Sequence, residues 1–188
     1  MVQAVAAHEP WPMPARGYWA FEDLEALPET GARYEIVDGA LLVSPSPLAP
    51  HQRIAGRIEA QLDAQLSPAL WVFHEVSVVI GRSVRVPDAI VADPQRFDPQ
   101  ALPLPTAAVL LLAEVESPSS RSQDRLLKPA EYASAGIPCY LRVELDPSLR
   151  VVAHVLRDGR YEVVADETSG LLTLSEPLAI TLDLDRLL

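Results

Sequence analysis

Two glutamates close an apolar run, and a solitary lysine follows them. Glu114 and Glu116 end the stretch 109–116 (VLLLAEVE), Asp88 stands behind Pro87 in an earlier β-rich segment, and Lys128 is the one lysine of the chain against fourteen arginines. Side chains alternate along a strand, so positions 114 and 116 share a face. Carboxylates gathered in this way repel, by about 4 kcal/mol for a pair 4 Å apart at an effective dielectric of 20. Protonation, a nearby arginine or a divalent cation could each offset that repulsion. Hard oxygen ligands completed by water suit magnesium or manganese. An ammonium is a compact point charge that can orient a water or meet a phosphate where a guanidinium fork fits poorly. A coding bias toward arginine would leave a single lysine equally well, and both explanations stand at this point.

The elements that must position these groups follow from periodicity. Residues 1–14, rich in Ala and Pro, read as a loose arm, and 15–188 as one domain. Phe21, Leu24 and Leu27 have helical spacing, stopped by Pro28 and Gly31. Next, two β-rich arms flank Asp38-Gly39, a strong hairpin signal. From His51 onward, Ile54, Ile58 and Leu62 form one stripe of an amphipathic helix. Three strands are expected over 71–80, 83–93 and 107–117, the last buried on both faces. A helix carrying Lys128 should end at Gly136, with Pro129 tolerable if that helix begins near Lys128. A strand at 137–145 and a β-meander complete the chain, with Asp158-Gly159 as a turn. The order gives an α/β (α+β) architecture: a mixed β-sheet flanked by helices, with an N-terminal hairpin and a C-terminal β-meander.

Composition narrows the setting. Hydrophobic residues make up 49% and charged residues 22% of 188, which is globular and not disordered. The single cysteine, Cys139, excludes an internal disulfide framework and suggests a reducing compartment, so a cytoplasmic setting is expected. No run approaches the roughly 18 apolar residues of a membrane span, and no membrane partner is expected. A net charge of −11 argues against general affinity for nucleic acid. Arginines nevertheless gather as Arg53 with Arg57, Arg82 with Arg85, and Arg121 with Arg125. They could build a basic rim for nucleic acid or lie as solvated faces paired with acids. His8, His51, His74 and His154 show no zinc-binding spacing, and no glycine-rich phosphate loop or nucleophile elbow occurs.

The sequence resembles the PD-(D/E)XK nuclease superfamily, and within it the Uma-two family of restriction endonuclease-like proteins. The resemblance is carried by Tyr34-Glu35-Ile36-Val37-Asp38-Gly39, Ser44-Pro45, His51, Pro87-Asp88, Glu114-Val115, Ser117-Pro118-Ser119, Asp124, Lys128, Tyr132 and Ala135-Gly136-Ile137-Pro138. It implies a restriction endonuclease-like fold with Asp88 and Glu114 as metal ligands, Val115 as a carbonyl donor and Lys128 as the catalytic lysine. It also implies a Mg2+ or Mn2+ cofactor, DNA as substrate and hydrolysis of a phosphodiester. A homodimer would suit double-strand cleavage.

The chain departs from the pattern in several places. In the superfamily the lysine stands two residues after the glutamate, where this chain has Glu116. A lysine displaced to the following helix would restore the charge, and Lys128 is the one candidate. Glu116 could be a third ligand, or could form a salt bridge with Arg121 or Lys128 and quench the lysine. Ala40, Leu141 and Glu144 also replace the family's usual residues. Glu35 and His51 belong near the site as auxiliary groups. The rival expectation is an inactive nuclease-like binding or interaction module.

Overall fold

The computed structural model describes residues 11–117 and 120–188, so residues 1–10 of the expected arm, with Pro118 and Ser119, lie outside the described residues. Residues 11–14 have no regular structure, yet Trp11 packs against a small cluster of Trp19, Ile36 and Val84. Helix α1 (Phe21–Leu24) is a single turn. Strands β1 (Arg33–Val37) and β2 (Ala40–Ser44) form the hairpin. At its tip Asp38 and Gly39 have φ of 46° and 79°, the left-handed pair that a two-residue loop needs to match strand twist.

Helix α2 (Ala49–Gln65) has Pro50 in its first turn, where a missing N–H costs nothing. Ile54, Ala55, Ile58 and Leu62 are buried along its inner stripe, each large side chain contributing about 1.5–3 kcal/mol.

Of the three strands expected next, the third forms as a single strand, while the runs 71–80 and 83–93 each hold two short ones, because the chain alternates between two sheets. Strand β3 (Trp71–Phe73) belongs to one sheet, β4 (Val78–Ile80) and β5 (Ser83–Arg85) to the other, and β6 (Ala89–Ala92) returns to the first. The first crossing is at Glu75, whose φ is 52°, and the second is at Pro87, which offers no donor to a ladder. Strand β7 (Leu104–Pro105) joins β4, and β8 (Val109–Val115) runs through the middle of the larger sheet.

A π-helical turn, Gln123–Leu127, runs directly into α3 (Lys128–Ser134). Proline in a helix clashes with the carbonyl four residues back, and a widened turn relieves that clash, so Pro129 is accommodated inside a continuous helical segment. Strand β9 (Cys139–Glu144) follows, parallel to β8, which makes β8–α3–β9 a crossover unit. Strands β10 (Arg150–Arg157) and β11 (Arg160–Glu167) continue antiparallel, and β12 (Leu171–Leu174) pairs with β13 (Ile180–Asp183).

The larger sheet has the order β11-β10-β9-β8-β6-β3 and the smaller one β2-β1-β5-β4-β7. One face of the larger sheet (Val91, Leu111, Leu141, Val151) packs on α2 and the β12–β13 pair. Its other face (Ile90, Leu112, Tyr140) packs on α3 and strands of the smaller sheet. This is the mixed α+β architecture expected. Among the described residues no helix is long and apolar enough to cross a membrane.

Candidate functional site

Alternation along β8 sends Leu111, Ala113 and Val115 into the α2 core and Glu114 to the opposite face, toward α3. There Glu114 is 1% exposed, and its carboxylate accepts hydrogen bonds from Tyr132 Oη at 2.5 Å and Lys128 Nζ at 2.8 Å. Lys128 Nζ also reaches Asp124 Oδ1 at 2.9 Å, one helical turn earlier. Burial alone would lower the lysine pKa, but Glu114, Asp124 and Glu35 outweigh it and hold Lys128 well above its ordinary value. For Glu114, burial dominates over the attraction of Lys128, and Asp124, Asp88 and Glu35 add repulsion; its carboxyl is pushed up to about 8.

Asp88 is set by the Pro87 crossing. Its N–H donates to the Ala113 carbonyl at 3.1 Å, and its Oδ2 accepts from the Val115 N–H at 2.7 Å, which ties the residue to β8 on both sides. Arg33 donates to Oδ1 at 2.9 Å, and His51 Nε2 lies 3.2 Å from Oδ2. Burial would raise the Asp88 pKa, but His51, Arg33 and the Val115 amide together hold it below the ordinary carboxylate range. Conversely, burial of His51 is outweighed by Asp88, which raises its pKa.

Arg33 and Glu35 stand two apart on β1 and both line the same cleft. Glu35 Oε1 accepts from the Val86 N–H at 3.0 Å, and its Oε2 lies 3.6 Å from Arg85. Arg33 also pairs with Glu75. The left-handed backbone at Glu75 is thus where the chain changes sheet and where it meets Arg33. The cleft, about 340 Å³, places Asp88, Glu114, Val115, Lys128, Glu35 and His51 on one wall system.

Of the sequence candidates, Glu116 does not join them. It follows the last residue of β8, so strand alternation no longer governs it. Its carboxylate takes both hydrogen bonds of the Arg125 fork, at 2.7 and 2.9 Å, and lies 3.3 Å from Arg142. It neither lines the cleft nor pairs with Lys128. None of the six paired arginines lines the cleft either. Arg85 is 1% exposed and locked to Glu131, while Arg121 and Arg125 are paired with Glu116, Asp146 and Glu144. Arg53 is exposed on α2, and Arg57 bonds the carbonyl of Leu188; neither lines the cleft.

Three groups in the cluster had no assigned role from sequence: Arg33, Asp124 and Tyr132. The spacing of Arg33 to Glu35 and of Asp124 to Lys128 held the signal, since i,i+2 on a strand and i,i+4 on a helix share a face.

The Uma2 family model, described as "Putative restriction endonuclease", matches residues 21–185. The chain belongs to the Uma2 family. Among solved structures it is similar to "a putative nuclease belonging to DUF820" from Anabaena variabilis. That match has 19% identity, covers 88% of this chain and 95% of the other, and has a TM-score of 0.69, which establishes the shared fold. No curated protein matches the chain.

Asp88 and Glu114 are the residues that would hold a cation: both supply oxygen, the chemistry magnesium prefers, and a cation beside Glu114 would favour the ionised carboxylate that burial opposes. Among the described residues no three His, Cys, Asp or Glu groups form a preset cage. Magnesium is usually held by one or two carboxylates with water and substrate phosphate completing the shell, so two acids in an open cleft fit it.

Proposed function

We propose that this Uma2 protein is a metal-dependent nuclease that hydrolyses phosphodiesters, with DNA as the substrate, at Asp88, Glu114 and Lys128. One observation carries the reading: residues from the β5–β6 connection, from β8 and from α3 bring two acids and the sole lysine into one cleft. Asp88 and Glu114 would hold the cation, Mg2+ or Mn2+, with the Val115 carbonyl in reach as the resemblance implies. Bound there, it would supply Lewis-acid polarisation of the phosphoryl group and a lowered water pKa.

The chain's own groups do the rest. Arg33, His51 and the Val115 amide keep Asp88 ionised and fix its rotamer. Tyr132 orients the Glu114 carboxylate. Lys128, held protonated by Glu114 and Asp124, presents a positive point charge to a phosphate or an attacking water. The superfamily position of the lysine, filled here by Glu116, is vacated by turning that carboxylate into the arginine cluster.

A second reading, a non-catalytic nuclease-like binding module, is favoured by the same ion pairs: Arg33 and Lys128 already partner Asp88 and Glu114, so each acid has a cationic partner within the chain. Calorimetric titration of manganese and magnesium into wild type, Asp88→Ala and Glu114→Gln separates the two. Saturable binding lost in both variants, with metal-dependent cleavage of DNA, supports the nuclease. Absence of both in wild type supports the binding module.

A further inference from the structure

On the other side of Arg33 from the candidate site lies a second cleft of about 460 Å³. The two share Arg33, Ser46 and Pro47 as a common wall. The second differs in character from the first: Phe21, Leu24 and Tyr34 give it apolar and aromatic surface, with Gln52 and Ser77 as polar groups. Two acids line it, Glu25 and Glu75, the latter paired with Arg33.

We propose that the second cleft receives the nucleoside next to the scissile phosphate of a single nucleic-acid strand, with Arg33 on the phosphate between the two clefts. This rests on the nuclease reading above and names its substrate class.

Three observations converge on it. The volume lies within the few hundred Å³ typical of sites for compact ligands. Aromatic side chains beside a cation are the elements with which proteins hold unpaired strands, by stacking bases and touching the backbone. Charge, by contrast, disfavours a duplex. Duplex binding relies on clustered cations at many phosphates. Here Arg33 and Lys128 are the only arginine or lysine side chains among the described residues lining either cleft, and both are bound to carboxylates. Arg121 and Arg125 nearby are neutralised by Glu116, Asp146 and Glu144, and the chain as a whole carries −11. A substrate that derives its affinity from stacking and one bridging phosphate fits this surface. One that needs a basic track does not.

The test is titration calorimetry in magnesium with two probes, 2-deoxyribose 5-phosphate, which carries a phosphate without a base, and a thymidine dinucleotide joined by a cleavage-resistant phosphorothioate. Wild type is compared with Ala32→Phe, which fills the second cleft from the coil before β1, and with Phe21→Ala, which removes an aromatic face. The dinucleotide should bind wild type at least about tenfold more tightly than the sugar phosphate, the affinity of roughly one stacked base. Ala32→Phe should abolish that gain and Phe21→Ala should reduce it, with sugar-phosphate affinity retained in both. A wild type without the gain, a gain that survives in both variants, or tighter binding of a short duplex than of its single strand overturns the proposal. Cleavage of oligonucleotides by wild type is scored separately. Gain without cleavage sinks the nuclease reading and leaves the cleft assigned; cleavage without gain sinks the cleft alone.

Discussion

Replacing Glu114 by glutamine should remove function and add stability, and the two effects should separate by pH. The carboxyl has been moved from an ordinary value of 4.5 to about 8, chiefly by burial. At 1.36 kcal/mol for each pH unit this corresponds to about 5 kcal/mol. The sign follows from proton counts. Between pH 4.5 and 8 the unfolded chain has lost this proton and the folded chain retains it, so stability falls as pH rises through that window and levels off above it. Glutamine has no proton to lose; its amide oxygen can accept from Lys128 Nζ in the place of Oε2, while its NH2 takes the place of Oε1 and donates to Tyr132 Oη. Relative to wild type, Glu114→Gln should therefore gain several kcal/mol, up to about 5, between pH 4.5 and 8.5. Urea denaturation of both proteins across that range measures it, with all other titrating groups common to the pair. Identical pH dependence in wild type and variant would refute the reasoning. So would a variant losing stability relative to wild type as pH rises.

Other outcomes follow from the same contacts. Asp88→Ala leaves the Arg33 guanidinium and the buried His51 without their carboxylate and should cost about 3–5 kcal/mol in denaturant unfolding, whereas Asp88→Asn, which keeps the shape, should cost less yet still abolish metal binding. Lys128→Arg places a broad fork where a point charge sits between Glu114 and Asp124, and cleavage should fall by at least about tenfold; full activity would show that the ammonium is not needed. Wild-type activity should rise with pH through about 8 as Glu114 loses its proton. Tyr132→Phe deletes a donor to the ionised carboxylate and should move that rise to higher pH; an unmoved profile would assign Tyr132 to packing alone.

Much of the frame could be read directly from local pattern. Asp38-Gly39 announced the hairpin because few other pairs adopt that turn, and Ile54, Ile58 and Leu62 marked α2 because one helical stripe faces the sheet. Asp88, Glu114 and Lys128 were legible as types and as a family pattern. What pattern could not convey was partnership at a distance. A β-rich run looks the same whichever sheet it joins, so the crossings at Glu75 and Pro87 were invisible and four strands read as two. Alternation assigned Glu116 to the face of Glu114, but that rule stops where β8 stops, and Arg125 and Arg142 then decide. Arg33 is 55 residues from Asp88, and only the fold shows that they touch.

Because the lysine arrives on a helix and its glutamate on a strand, the distance between them depends on the length of the crossover and not on strand pairing. The wide turn at Gln123–Leu127 therefore acts as a phase setter. Removing one residue between Asp124 and Lys128 would bring them from four apart to three, and so change how the ammonium meets that carboxylate. The β8–β9 ladder does not include this segment and would keep its register. The length of this turn thus bears on the candidate site while the sheet is indifferent to it.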